Sequence, residues 1–259
     1  MSWHTGNISN VAGGMITVLD AVLPLNSSWS IYDGAAGTNA KVYKCEDAAE
    51  NCLFYVYLGD NQADYSIIQL WQGWNATTHV GVGQSLTTIN TYAMWFTKHA
   101  GGYAIALGSH RFIYIDLAQY MAFYIGQPKR YDTTKNIVIA VVNTTSTLHN
   151  NPLGFYNSGN TAGWSSLFDE GGNVNLLDPF GRLSSYLFIK TIAGTYFVYE
   201  TPVYNNTTKL ELGLLEGVMY LYNADNGLVN NDTITISGQS WIAIGGNESN
   251  KYWSLVKEA

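Results

Sequence analysis

Past residue 40 the chain runs in short apolar blocks, each closed by Gly, Asn, Asp or Pro. Blocks at 42–45, 53–58, 65–71, 92–97, 103–107, 111–116, 121–125 and 137–142 are rich in β-branched and aromatic residues, which fit a pleated, half-buried surface. The intervals between them are too short for crossover helices, so the pattern predicts antiparallel pairing. One helix is expected, in 10–24, where Met15, Val18, Leu19, Val22 and Leu23 recur at helical spacing until Pro24 ends the pattern. A second set of strand blocks lies at 186–191, 195–200, 218–222, 233–236, 240–244 and 252–256, with turn signals such as Asp225-Asn-Gly227 and Ser237-Gly238 between them. Residues 143–185 are polar and rich in Gly and Asn, broken only by Gly154-Phe-Tyr156 and Gly163-Trp164. Neither a fixed-period repeat nor a heptad pattern is present. The expectation is an all-β protein: a short N-terminal helix and an antiparallel β-sandwich or barrel over 1–142, an irregular connection over 143–185, and a smaller β domain over 186–259.

Composition changes what the surface of such a fold must be. Only 12% of residues are charged, while Tyr (19) and Trp (8) are abundant. The exterior is therefore built largely from Asn, Thr, Ser, Gly and Tyr, which repel neighbours weakly and offer large contact area at low entropic cost. That is the make-up of a contact surface, shared by assembly proteins and by glycan-binding β proteins. The formal charge is -7 and the 12 Lys and Arg are scattered, so no stripe matches a phosphate backbone and direct nucleic-acid binding is not expected. Met1-Ser-Trp-His-Thr-Gly6 carries no secretory pattern, and no apolar run reaches bilayer-spanning length. Synthesis in a cytoplasm without membrane insertion is the expectation.

Candidate chemistry is sparse. His4, His79, His99, His110 and His149 stand apart, and no His-x-Glu, His-Glu-x-x-His or Gly-x-Ser-x-Gly occurs, so each histidine is expected to be a hydrogen-bonded loop or core residue and no enzyme or cofactor is expected. Asp60-Asn-Gln-Ala-Asp64 and Asn223-Ala-Asp-Asn-Gly227 alternate oxygen ligands near a turn, but lack the distal glutamate of a calcium loop and read as Asx turns. Gly81-Val-Gly83 and Gly101-Gly102 read as hairpin turns. Cys45 and Cys52 flank a short loop and could form a disulfide or remain two free thiols. The densest unusual segment is Trp71-Gln-Gly-Trp-Asn-Ala-Thr-Thr-His79. Its residues Trp71, Trp74, Asn75 and His79 are candidates for a sugar-stacking site, or for a subunit contact in which Trp71 belongs to the core and Trp74 is the anchor.

Several blocks carry a family likeness. Ser28-Trp-Ser30 after the helix, Val42-Tyr-Lys44, the pair within Tyr103–Asp116 and the ending Ala122-Phe-Tyr-Ile-Gly126 come first in order. Gly213-Leu-Leu-Glu-Gly-Val-Met-Tyr220, Asn231 to Ile244 with its Gly238-Gln-Ser-Trp241, and Tyr252-Trp-Ser-Leu-Val256 follow. In this order they resemble a family of tailed-bacteriophage virion structural proteins encoded among head and tail genes. Gly126-Gln127 stands where that family usually has Gly-Asp, and 143–185 has no counterpart. The resemblance implies a virion location and a structural role in the tail, neck or collar, with copies of the chain and other virion proteins as partners and no active site to carry across. A capsid decoration protein, or a module recognising a host surface glycan, are the alternatives.

Overall fold

The computed structural model describes residues 1–84, 94–130, 136–143, 153–157, 164–166, 197–205, 210–222, 228–244 and 252–258. The chain opens with strand β1 (Ser2–Ile8) and helix α1 (Gly14–Val22), and continues through β2 (Trp29–Gly37), β3 (Ala40–Asp47), β4 (Cys52–Gly59), β5 (Tyr65–Asn75), β6 (Val80–Gln84) and β7 (Met94–Thr97). Next come β8 (Gly101–Leu107), β9 (Arg111–Asp116), β10 (Met121–Gly126), β11 (Lys129–Arg130), β12 (Asn136–Asn143), β13 (Leu153–Asn157) and β14 (Trp164–Ser166). The C-terminal part holds β15 (Phe197–Asn205), β16 (Leu210–Tyr222), β17 (Thr233–Ile236), β18 (Gln239–Ile244) and β19 (Tyr252–Lys257). The fold is all-β with one short N-terminal α-helix, as the apolar pattern predicts.

Among the described residues the strands make three antiparallel sheets. The central sheet has the order β1-β8-β9-β10-β12-β13-β14. The N-terminal sheet runs β2-β3-β4-β5-β6, with β7 also on β5, and the C-terminal sheet runs β11-β16-β19-β18-β17, with β15 also on β16.

Burial explains the stacking. Tyr103, Ile105, Leu107, Phe112, Tyr114, Met121, Phe123 and Ile125 point from one face of the central sheet into a core shared with α1 and the N-terminal sheet. The residues between them, Ala104, Ala106, Ile113, Ile115, Ala122 and Tyr124, pack on Leu215, Val218, Ile242, Ile244 and Val256 of the C-terminal sheet. The central strands are therefore covered on both faces, which is why their sequence reads as continuous apolar runs instead of alternation. The first core is aromatic: Phe96, Tyr114 and Phe123 meet at centroid distances of 4.8 to 5.5 Å, and Trp29 sets its edge against Phe54 and Phe112 while donating its indole N–H to Gly108 O at 3.1 Å.

Strand β11, within the expected first unit, pairs with β16 of the expected second one, and Arg111 of β9 forms an ion pair with Glu216. The stretch 143–185 departs from the expected irregular connection in its described pieces. β13 and β14 extend the central sheet from Gly154-Phe-Tyr156 and Trp164, because those apolar residues keep β pairing worthwhile within a polar segment. Two glycine readings are likewise corrected. Gly81-Val-Gly83 lies inside β6 and Gly101-Gly102 opens β8, since a glycine in a strand also marks close approach by a neighbour. Trp71 packs so close over Gly81 that a Cβ there would sit 2.2 Å from its ring. The expected strand at 186–191, the turn at 223–227 and His149 lie outside the described residues.

Helix α1 buries Met15, Ile16, Val18, Leu19 and Val22. Its cap, Gly13, has no side chain to offer, so the orphan N–H groups of the first turn need another acceptor. Asp60 supplies it: Oδ2 accepts the Met15 N–H at 2.8 Å. Oδ1 accepts the Ser66 hydroxyl at 2.8 Å and pairs with Lys98, both charged side chains being completely buried. Lys98 also donates to Val11 O at 2.8 Å. This replaces the Asx-turn reading of Asp60. Removing one partner of a buried pair leaves an uncompensated charge and costs about 3–5 kcal/mol. Lys98→Met is therefore expected to lower the unfolding free energy in urea by about that amount, and Lys98→Met with Asp60→Asn to cost less than Lys98→Met alone. A double variant no better than the single one would refute the pairing.

Candidate functional site

The segment from Trp71 to His79 lies on the outer side of the N-terminal sheet, away from the central one. Trp74 is 9% exposed and belongs to a small cluster with Val42 and Tyr55, against which Tyr57 and Trp71 pack. Tyr57 stacks on Trp74 at 5.9 Å, and Trp71 sets its edge to Trp74 at 5.8 Å. The expected roles of the two indoles are thus exchanged: Trp74 is the buried ring and Trp71 the half-exposed one. The cause is a residue that the spacing gave no reason to connect with them. Asp33, 4% exposed in β2, accepts the Trp74 indole N–H at 2.8 Å and the His79 Nδ1 at 2.7 Å on the same oxygen, Oδ2. A buried carboxylate needs such donors, and Trp74 must turn inward to be one.

Asn75 serves the same geometry. Its Oδ1 accepts the N–H groups of Thr77 and Thr78 at 2.9 and 3.2 Å, an Asx turn that reverses the chain and returns His79 to Asp33. His79 takes a left-handed backbone, φ 55°. The four candidates Trp71, Trp74, Asn75 and His79 are close in space, with Asn75 Oδ1 engaged in the turn and His79 Nδ1 on Asp33. Half-exposed rings are left facing outward: Trp71, Tyr57 and, across the sheet, Tyr32, which meets Tyr55 edge-on at 5.0 Å with the Lys44 ammonium 5.8 Å above it. Beside them Ile31, Val80 and Val82 are 41%, 56% and 62% exposed.

The Asp33–His79 arrangement recurs. Asp47 Oδ1 accepts the N–H of Ala49 and Glu50 while Oδ2 meets His110 at 2.8 Å. Asp116 Oδ1 accepts the N–H of Ala118 and Gln119 while Oδ2 meets His99 at 2.9 Å. In each case one carboxylate oxygen closes a turn and the other holds a histidine. Each carboxylate thereby fixes the ring orientation of a histidine beside a turn, through Nδ1 in His79 and His99 and through Nε2 in His110. The expectation of hydrogen-bonded histidines agrees with these contacts and with His4, which meets Ser2 Oγ at 2.8 Å.

Electrostatics follows the same contacts. Burial raises the Asp33 carboxyl, but hydrogen bonds from His79, Trp74 and Ala35 outweigh it and hold the group below its ordinary value. The His110 hydrogen bond, opposed by burial and helped by the turn N–H groups, lowers Asp47 as well. A carboxyl lowered on folding stabilises the fold above its unfolded value near 4, and the contribution is lost as pH falls through the lower folded value.

Cys45 and Cys52 face the core from β3 and β4 as free thiols, Sγ atoms 3.7 Å apart. Burial first, and the bond to Cys52 second, push the Cys45 thiol up, so the reactive thiolate is scarce. Among the described residues no group of three or more His, Cys, Asp or Glu could hold a metal ion.

Two outcomes are expected. The urea midpoint should stay level between about pH 7 and pH 5 and then fall below about pH 4, with a shallower acid limb in Asp33→Asn; identical limbs in the two proteins would contradict the assignment. A chromogenic disulfide reagent should titrate neither cysteine quickly in the native protein and both after denaturation. No protein-family model matches the chain, and no curated protein sequence matches it.

Proposed function

We propose that this chain is a structural component of a tailed-phage virion, in the tail, neck or collar, and that it works by associating with copies of itself and with other virion proteins. The observation that carries the reading is the outer side of the N-terminal sheet. The rings lie against the edge strand β6 at Gly81, and the valines on either side of that glycine stand in solvent, Val80 at 56% and Val82 at 62% exposure. Exposed apolar side chains on a sheet edge, with unpaired backbone groups beside them, are a template for another chain. The sequence as a whole is poor in charge, with charged residues 12% of it. The order of blocks resembling the phage family supports the same reading. A capsid decoration protein differs from it in location, which microscopy of labelled particles distinguishes.

Val80 and Val82 touch no described core cluster, so lysine at both positions should leave the melting temperature within a few degrees of the parent. The same double variant should shift the sedimentation profile from assemblies toward monomer. A parent chain that sediments only as a monomer at high concentration, or purified virions without the protein by mass spectrometry, would count against the proposal.

A further inference from the structure

The buried pair Asp60–Lys98 has the geometry of a reaction as well as that of an ion pair. Asp60, Ser66 and Lys98 are each 0% exposed, and Lys98 Nζ lies in direct contact with Asp60 Oδ1. Among the described residues neither group has a second ionic partner. A lysine nitrogen held against a carboxyl group, with bulk water excluded, is a nucleophile beside its electrophile, and such placement removes a large part of the entropic barrier to bond formation.

The surrounding donors and acceptors fall where a condensation needs them. Transfer of one proton from Nζ to Oδ1, along their contact, leaves a neutral amine and a carboxylic acid and removes two charges from the interior. Nζ also donates to Val11 O at 2.8 Å, so one of the two remaining N–H bonds is held there and the lone pair is restrained toward Asp60. Attack of Nζ on Cγ forms a C–N bond and moves the carbonyl electron pair onto Oδ2. That oxygen already accepts the Met15 N–H at 2.8 Å, in the first turn of α1, where the helix dipole favours negative charge. Oδ1 then departs as water. It carries the first proton and takes a second from the new C–N nitrogen through the Ser66 hydroxyl, which donates to Oδ1 at 2.8 Å. One ammonium and one carboxylate thus give one amide and one water, with no change of oxidation state.

We propose that Lys98 and Asp60 condense to an isopeptide bond, Nζ to Cγ, which cross-links the exit of β7 to the end of β4. The ion pair is the reactant state of this step. The product is neutral, its N–H keeps Val11 O as acceptor and its oxygen keeps the Met15 N–H as donor, so two buried charges are lost while the hydrogen bonds that fix α1 remain. Only the Ser66 hydroxyl has to turn. The bond lies in the core beneath the helix and does not depend on the face assigned to assembly.

The test is mass spectrometry of the purified full chain, denatured and digested with trypsin. No lysine or arginine lies between Lys44 and Lys98 or between Lys98 and Arg111, so cleavage after Lys98 reports directly on its side chain. A condensed Lys98 offers trypsin no ammonium. The expected product is a single peptide from Cys45 to Arg111, one water lighter than its sequence and without backbone fragments from between Asp60 and Lys98. Lys98→Arg keeps the positive charge and should restore both cleavage at that position and the full mass. Separate peptides 45–98 and 99–111 at full mass in the parent overturn the proposal, and so does a water loss that leaves cleavage after Lys98 intact or that persists in Lys98→Arg.

Discussion

The buried pair Asp60–Lys98 is the constraint on which the N-terminal half is arranged. Two opposite charges taken wholly out of water are tolerable only when every remaining lone pair and proton finds a partner, and here the backbone is bent to provide them. Lys98 draws in Val11 O. Asp60 takes the first free N–H of α1, while its own N–H and C=O are bound to Asn39 and Gly13 at 2.7 and 2.8 Å. Asp60, through its carboxylate and its backbone together, thus fixes the entry of the helix, the β2–β3 turn and the end of β4, and its partner fixes the exit of β7. The pair adds little net stability over an apolar replacement of the same volume. What it decides is geometry, because any other placement of α1 strands a charge.

With the helix held, the central sheet is covered from both sides, and the two sides differ in kind. Strands covered on both faces lose the alternation that normally distinguishes inside from outside, so a slip by one residue is not punished by exposing apolar groups. Size takes over that task. Toward the N-terminal sheet β8 to β10 present mainly large side chains, including Phe112, Tyr114 and Phe123; toward the C-terminal sheet Ala104, Ala106 and Ala122 stand among the larger Ile113, Ile115 and Tyr124. A slipped strand would set rings where alanines belong and leave voids where rings belong, and each error costs a few kcal/mol in a close-packed interior. Arg111 then ties the third layer down through Glu216.

These two facts also explain what could be read in advance. Blocks such as 111–116 and 233–236 coincide with β9 and β17, and 121–125 falls one residue short of β10, because β propensity and turn residues are local signals. Strand β1 gives no local signal since Trp3 and His4 carry no run, and β2 gives none since Asp33 and the four small residues Gly34, Ala35, Ala36 and Gly37 interrupt any run of β-forming side chains. The site was legible only in outline. That Trp71, Trp74, Asn75 and His79 belong together follows from their nearness in sequence. Which indole is buried depends on Asp33, 41 residues away from Trp74, and no local pattern encodes that contact.

The clamp on Asp33 bears on how an assembly surface can work. Fixing loose side chains on association costs about 0.5–1.5 kcal/mol each, and rings already held by a buried carboxylate and by one another have largely met that cost on folding. The two ends of the N-terminal sheet are not equivalent, however. β2 is irregular, its pairing with β3 shifting on both sides of Asp33, whereas β6 keeps an unbroken register against β5. A bulged edge resists strand addition and a regular one invites it. Among the described residues β6 is thus the regular edge that another copy could extend, and two identical edges meeting give a closed pair and no more. A ring or tube needs a contact between unlike surfaces, with a β6 edge on one copy and a different face on the next. The outward rings of Tyr32, Tyr57 and Trp71, held in place by their neighbours, have the properties such a second face requires.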